Sequence, residues 1–277
     1  MSHPRDYQTP AIIIKKIKLG EADRILTLYT PGLGKIQAVA KGVRRPKSKM
    51  AGHLELLTHS QVSLARGRNL DTITGAQTID SFLQLKTDLV LTSYGLYIIE
   101  LLNQFTAEHV EDEALFNLVL ETLRHLCTTD NRDPSASSFG SAQDRSGQAL
   151  LLRYFELKLV DMAGYRPQLH ECVVCHKSLE PVINYFSANA GGMLCPRCAP
   201  RQPFSFEIPV NALKVLRFIQ DNDFTVVSRL KINGSLSREL EAVTRHYLRY
   251  LLEREVKSAA WLDELREQLR QPNGVAP

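Results

Sequence analysis

The chain has 277 residues and a formal net charge of +4, with 44% hydrophobic and 23% charged residues, a composition that excludes a disordered chain or a fibre and allows a sizeable core. Its length exceeds the roughly 100–200 residues of one typical domain, so two or three packing units are expected. Neither the opening Met1-Ser2-His3-Pro4-Arg5-Asp6 nor any later segment has the apolar run of a signal peptide or a membrane span, and the expected location is the cytoplasm, off the membrane.

From Thr9 to about Ser81 the pattern predicts strands at Ala11–Leu19, Arg24–Thr30, Lys35–Val43, Leu54–Leu64 and Leu70–Ile79, with a clear turn at Pro31-Gly32-Leu33-Gly34. Ile36, Ala38 and Ala40 alternate with Lys35, Gln37 and Lys41, and Leu54, Leu56, Val62 and Leu64 fall on one face of the next strand; one side is core and the other is wet. Five short antiparallel strands suit a small barrel, either an OB-fold, which commonly handles nucleic acid, or an SH3-like barrel. After Phe82 the period becomes helical. Val90, Tyr94, Tyr97, Ile98, Leu101 and Phe105 form one stripe, and Leu115, Leu118, Val119, Thr122, Leu123 and Leu126 form another. The Ser, Asp, Gly and Asn run from Thr128 to Gly147 is expected to be a mobile surface loop. The helix after it, about Gln148–Ala163, turns Leu151, Tyr154, Phe155, Leu159 and Met162 inward and stops at Gly164. Helices are predicted again at about Pro209–Gln220, Ser235–Lys257 and Trp261–Leu269.

Cys172-Val173-Val174-Cys175, nineteen intervening residues, and Cys195-Pro196-Arg197-Cys198 have the double Cys-x-x-Cys spacing of a zinc ribbon. Four thiolates complete a tetrahedral shell and leave no position for a catalytic water, so one structural zinc ion is expected. His170 and His176 flank the first pair, but four cysteines need neither. Cys127 lies on an apolar stripe and reads as a small hydrophobe. A redox dithiol pair is the lesser alternative, since no thioredoxin-like pattern surrounds either motif.

The basicity is concentrated at the front. Residues 1–80 hold 13 Lys and Arg against 6 Asp and Glu, or +7, leaving −3 for the remainder. Lys35, Lys41, Arg44, Arg45, Lys47 and Lys49 occur without an intervening acid, and Arg66 and Arg68 follow at a strand end. Such a run is either a solvated loop or a phosphate-tracking groove with little base readout; Tyr29 is the only aromatic nearby. A further stripe, Arg238, Arg245 and Arg249 on one helix, reads as a solvated face, with a dock for an acidic peptide or DNA as the alternative. No Gly-x-x-x-x-Gly-Lys-Ser/Thr loop, Gly-x-Ser-x-Gly elbow or His-Glu-x-x-His motif occurs, so a non-enzymatic protein is expected.

An ordered series of short motifs resembles the bacterial recombination mediator family RecO. It runs through Ala11-Ile12-Ile13-Ile14-Lys15, Leu19-Gly20-Glu21-Ala22-Asp23-Arg24, Leu28-Tyr29-Thr30 with Gly34-Lys35, and Ala38-Val39-Ala40-Lys41-Gly42-Val43-Arg44-Arg45. It continues in Tyr97-Ile98-Ile99-Glu100-Leu101, Phe155-Glu156-Leu157, Gly164-Tyr165-Arg166-Pro167 and the cysteine pairs. The resemblance implies an α+β protein, with an N-terminal five-stranded OB-fold barrel followed by a helical domain carrying an inserted four-cysteine zinc-binding module. The divisions implied are 1–81 for the barrel, 82–170 and 202–277 for the helical domain, and 171–201 for the zinc module. The implied work is binding and annealing of single- and double-stranded DNA in repair. The implied partners are RecR and the acidic C-terminal tail of single-strand-binding protein, with RecA loaded indirectly, in the cytoplasm at the nucleoid. Lys35, Lys41, Arg44 and Arg45 match the family's basic strand and loop, and the cysteines match its metal-binding members. A zinc-ribbon transcription or translation factor, a zinc-dependent nuclease or deaminase, and a purely structural adaptor are the competing readings.

Overall fold

The computed structural model describes residues 5–128 and 142–270, with backbone alone at 142–146 and 266–270. The strands β1 (Asp6–Leu19), β2 (Asp23–Thr30), β3 (Gly34–Ala40), β4 (His59–Ala65) and β5 (Asp71–Asp80) close into a barrel in the order β1-β2-β3-β5-β4. All its ladders are antiparallel except β3–β5, where Ala38 pairs with Asp71 and Val39 with Thr72. This is the OB-fold topology, and it decides between the two barrels that strand count leaves open. β1 reaches fourteen residues because it serves two neighbours, β4 through its first half and β2 through its second, with a bulge between Ile13 and Lys15. Its run Ala11-Ile12-Ile13-Ile14 is buried on both faces. Ala11 and Ile13 join Leu26, Leu28, Ile36, Val62 and Leu64 inside the barrel. Ile12, on the other face, pairs with Tyr29, whose ring lies 6.3 Å from Phe116.

The expected strand Leu54–Leu64 is corrected at its start. Gly52–Leu54 is a 3-10 turn, Leu57 is left-handed at φ 61°, and pairing begins at His59. Leu54 still enters the barrel core, but from the turn, and Leu57 packs where Gly95 of the following helix lacks a Cβ; a methyl there would come within 2.8 Å of its Cδ1. The third strand likewise ends at Ala40, before Gly42 at φ 63°.

Helices α1 (Leu83–Thr87), α2 (Leu89–Phe105) and α3 (Glu113–Thr128) follow. Asp88 caps α2 by accepting from the Leu91 N–H at 2.9 Å, and Asp112 accepts from the Leu115 N–H at 2.8 Å at the start of α3. By contacts the chain divides into two units. Residues 1–127 and 257–277 form one, and residues 128–256 form the other. The first is completed by the last helix, which packs on α2, and the Glu100 carboxylate of α2 accepts from the Lys257 and Ser258 N–H groups, at 3.0 and 2.8 Å, at that helix's N-terminus.

The second unit contains α4 (Ala142–Met162), β6 (Asn184–Ser187), β7 (Gly192–Leu194), β8 (Phe206–Ile208), α5 (Val210–Asp221), α6 (Phe224–Val227) and α7 (Gly234–Leu252). Its three strands form one sheet in the order β7-β6-β8. α4 begins at Ala142, so the tail of the expected 128–147 loop is helix, while residues 129–141 of that loop lie outside the described residues. Met162, expected inward, is 38% exposed. The expected single helix Ser235–Lys257 ends at Leu252, where Glu253 is left-handed at φ 53°, and α8 (Lys257–Arg270) starts afresh.

Candidate metal centre and nucleic-acid interface

The four cysteines come together in the second unit, their Sγ atoms all within 4.8 Å of one another and those of Cys175 and Cys195 3.8 Å apart. Each pair is a tight turn made by local backbone bonds. The His176 N–H donates to the Cys172 carbonyl at 2.8 Å, and the Cys198 and Ala199 N–H groups both donate to the Cys195 carbonyl at 3.0 Å. The first turn is tied to β7 by the Val173 N–H donating to the Met193 carbonyl at 2.9 Å, and β7 starts at Gly192. A Cβ at Gly192 would fall 2.4 Å from the Gln168 carbonyl oxygen, so only glycine admits this approach.

Burial by itself would raise the Cys172 thiol, but hydrogen bonds from the backbone at Cys195, Cys175 and Val174 bring it down to about 6. Cys198 is pushed up to about 12, chiefly by its hydrogen bond with Cys195. Four thiols crowded this closely resist successive deprotonation unless a cation neutralises them. A tetrahedron with metal–sulfur bonds of about 2.3 Å has edges near about 3.8 Å, the spacing this cluster approaches, so the donor set fits a divalent ion. His170 faces elsewhere, with Nε2 3.1 Å from Asp221, and His176 sits exposed in a left-handed turn at φ 55°. Cys127 is half-buried on α3, and burial raises its thiol.

The basic residues gather at one end of the barrel, with one exception. Lys35 is corrected: it is only 9% exposed, and its Nζ donates to the Asn103 and Thr106 carbonyls, 2.7 and 2.5 Å away at the end of α2. Burial lowers its pKa, and its ammonium serves a helix C-terminus rather than a surface. Lys41, Arg44, Arg45, Lys47 and Lys49 are all exposed in the loop after β3. That loop is fastened to the β1–β2 turn by the Gly42 N–H on Asp23 Oδ1 (2.7 Å), the Arg44 N–H on the Ala22 carbonyl (2.9 Å) and Arg44 Nη1 on the Gly20 carbonyl (3.1 Å). Parallel pairing sets the start of β5 beside the end of β3, so the β4–β5 turn with exposed Arg66 and Arg68 shares this end.

Two of the acids here are already engaged, while Glu21 in the β1–β2 turn and Asp6 at the start of β1 are exposed. Asp23 holds Gly42, while Asp71 accepts from Tyr7 Oη at 2.5 Å and from the Gly67 N–H at 3.0 Å. Lys16 and Arg24 both pair with Glu55. Lys15 and Lys18 are exposed on β1 and extend the patch; the signal that reveals them is their position just before the Gly20 turn. Tyr29, the nearest aromatic in sequence, is buried, and Tyr7, beneath the Arg66 guanidinium at 5.0 Å, is the one at the rim. On α7, Arg238 and Arg249 are exposed, Arg249 lying 2.8 Å from Glu255, but Arg245 is half-buried against Glu241 at 2.9 Å, so the expected solvated face is corrected at its middle arginine.

Family comparison follows the same division between barrel and remainder. The Recombination protein O N terminal model matches residues 1–82, and the Recombination protein O C terminal model matches residues 86–260. The chain belongs to the RecO family. It is 48% identical over 266 residues to the DNA repair protein RecO of Dehalococcoides mccartyi (strain CBDB1), covering 96% of this chain and 98% of that one. Identity is 40% to the RecO of Roseiflexus sp. (strain RS-1), over 96% and 88% of the two chains, and 33% to that of Symbiobacterium thermophilum, over 94% and 98%. Membership of RecO, a DNA repair family, supports a role in DNA repair and recombination. No described helix is long and apolar enough to cross a membrane.

Proposed function

We propose that this RecO protein is a non-enzymatic, cytoplasmic recombination mediator that binds and anneals single- and double-stranded DNA. In this reading it acts with RecR and the acidic tail of single-strand-binding protein to help load RecA. The observation that carries the DNA-binding part is the barrel end, where Lys41, Arg44, Arg45, Lys47, Lys49, Arg66 and Arg68 are exposed while Asp23 and Asp71 are held in internal hydrogen bonds. A loop of cations rising from a rigid rim attracts phosphates without reading bases, and counterion release makes the attraction salt-sensitive. Held side by side on such a surface, two strands repel each other less and pair faster.

The four cysteines hold one zinc ion as a structural centre, with all four positions of the tetrahedron filled by sulfur. The ion neutralises the thiolates and ties the two turns together.

Replacing Lys41, Arg44 and Arg45 together by Glu tests the reading. The annealing rate of complementary oligonucleotides at low salt is expected to fall by at least about tenfold, with the melting temperature lowered only slightly, because these side chains are exposed and only one of them gives up a hydrogen bond, that of Arg44 to the Gly20 carbonyl. An unchanged rate would remove the barrel end from the mechanism. Failure of the wild-type protein to bind a fluorescent acidic tail peptide would leave a zinc-ribbon nucleic-acid factor without the recombination partners.

A further inference from the structure

The segment that joins the second cysteine pair to β8 has a feature that neither the metal nor the barrel explains. Phe204 leaves 88% of its surface in water, more than any other large hydrophobic residue described, and its backbone is left-handed at φ 61°. Bulky side chains seldom adopt this conformation, which suits glycine or asparagine, and backbone strain of this kind concentrates at functional sites.

Both flanks of the residue are anchored. Before it, the 3-10 turn Ala199–Arg201 follows Cys198 directly, with the Arg201 N–H donating to the Cys198 carbonyl at 3.1 Å. Next to it, Ser205 Oγ donates to the Gln202 carbonyl at 3.2 Å. After it, Phe206 is half-buried with its ring 5.9 Å from Phe186 and 4.8 Å from His246, and it opens the β8–β6 ladder. One phenyl is thus packed and the other, two residues earlier, is held out from a fixed base. Along the chain, the charge leading up to it is of one sign. From Cys195 to Phe206 the chain contains exposed Arg197 and Arg201 and no acid, and Glu207 beyond them accepts from Tyr185 Oη at 3.3 Å.

We propose that Phe204 is a stacking platform for a base of single-stranded nucleic acid, with Arg197 and Arg201 on the phosphates to either side. An aromatic face accepts any base, and arginine forks fit phosphate oxygens, so the contact tolerates sequence as a mediator must. The inference rests on the nucleic-acid reading above and adds a contact in the second unit. It supplies the exposed aromatic that the barrel end, with Tyr29 buried and Tyr7 under Arg66, does not offer.

The test uses the full chain, oligo(dT) carrying one 2-aminopurine, and the variants Phe204→Asn and Phe204→Trp, with zinc content and melting temperature measured alongside. Asparagine suits the left-handed backbone, so the Phe204→Asn variant keeps its metal and its melting temperature. Its affinity falls by about 5- to 100-fold, the usual effect of losing one stacked base, and the 2-aminopurine quenching disappears. Phe204→Trp restores both. A Phe204→Asn variant that binds and quenches like wild type overturns the proposal and points to a protein partner for this loop. If wild-type protein itself shows no salt-dependent DNA binding, the functional reading falls and takes this inference with it. If Phe204→Asn weakens binding while the Lys41/Arg44/Arg45 reversal does not, Phe204 stands and the barrel end fails.

Discussion

Arg153 and Glu156 lie one turn apart on α4 with 3% and 0% of their side chains exposed, joined by a 2.6 Å bond from Arg153 Nη2 to Glu156 Oε1. Removing Glu156 leaves Arg153 the more distant Glu241, 3.9 Å from its Nη1, so the cost lies at the low end of the range for breaking a buried pair, about 3 kcal/mol. Glu156→Ala is therefore expected to lower the unfolding free energy by about that much in urea titration, and a loss below about 1 kcal/mol would show that the pair is dispensable. His59 gives a pH effect with a definite sign. It is 5% exposed, its ring lies 5.7 Å from Phe116, and neither ring nitrogen has a hydrogen-bond partner among the described residues. Burial, then the charge of Arg124, lowers its pKa, against Asp80, which raises it. The folded state thus holds it neutral, and stability present above the unfolded pKa of about 6.5 is lost as pH falls below that value. Between pH 7.5 and 5.5 the wild type should lose about 1 kcal/mol more stability than His59→Phe, which keeps the ring but cannot titrate. Equal losses would mean that His59 protonates freely. The cysteine cluster was legible in the sequence because its chelate turns are local, set by two residues between ligands. Lys35 was misjudged because a charge count does not say where an ammonium ends, and only the placement of α2 behind β3 puts two carbonyls in its reach.

At the scale of elements, alternation and helical period found every strand of the barrel and the long helices, since each buries one face along its length. Their boundaries erred at left-handed turns, at Gly42, where the third strand has already ended, and at two residues other than glycine. Leu57 at φ 61° delays to His59 the strand expected from Leu54, and Glu253 at φ 53° stops at Leu252 the helix expected to run to Lys257, where α8 already begins. The small sheet β7-β6-β8 is short and depends on the metal turns for its position, with Val173 bonded to Met193. Chelation of the proposed zinc ion is therefore expected to raise the rate of limited proteolysis between residues 171 and 208 by at least about tenfold while the barrel strands stay protected. Digestion at the same rate with and without metal would remove the ion from the structural account.

For the whole molecule, the sequence carried the family and the barrel but not the route of the chain. Nothing in the period of α8 says that it returns to the first unit; the Glu100 carboxylate at its N-terminus and its packing on α2 decide that, and both depend on residues more than 150 positions apart in the sequence. Nor did the concentration of charge in residues 1–80 show which cations reach water. The closed barrel sorts them, sending Lys35 to a helix end and Lys16 to Glu55 while leaving the 41–49 loop and the 66–68 turn exposed. The most direct test of that sorting is the salt dependence of single-stranded DNA affinity for wild type and the Lys41→Glu, Arg44→Glu, Arg45→Glu variant. The log–log slope should become shallower by about 2, near 0.7 for each of three lost phosphate contacts. An identical slope in the two proteins would contradict the assignment of the barrel end as the DNA-binding surface.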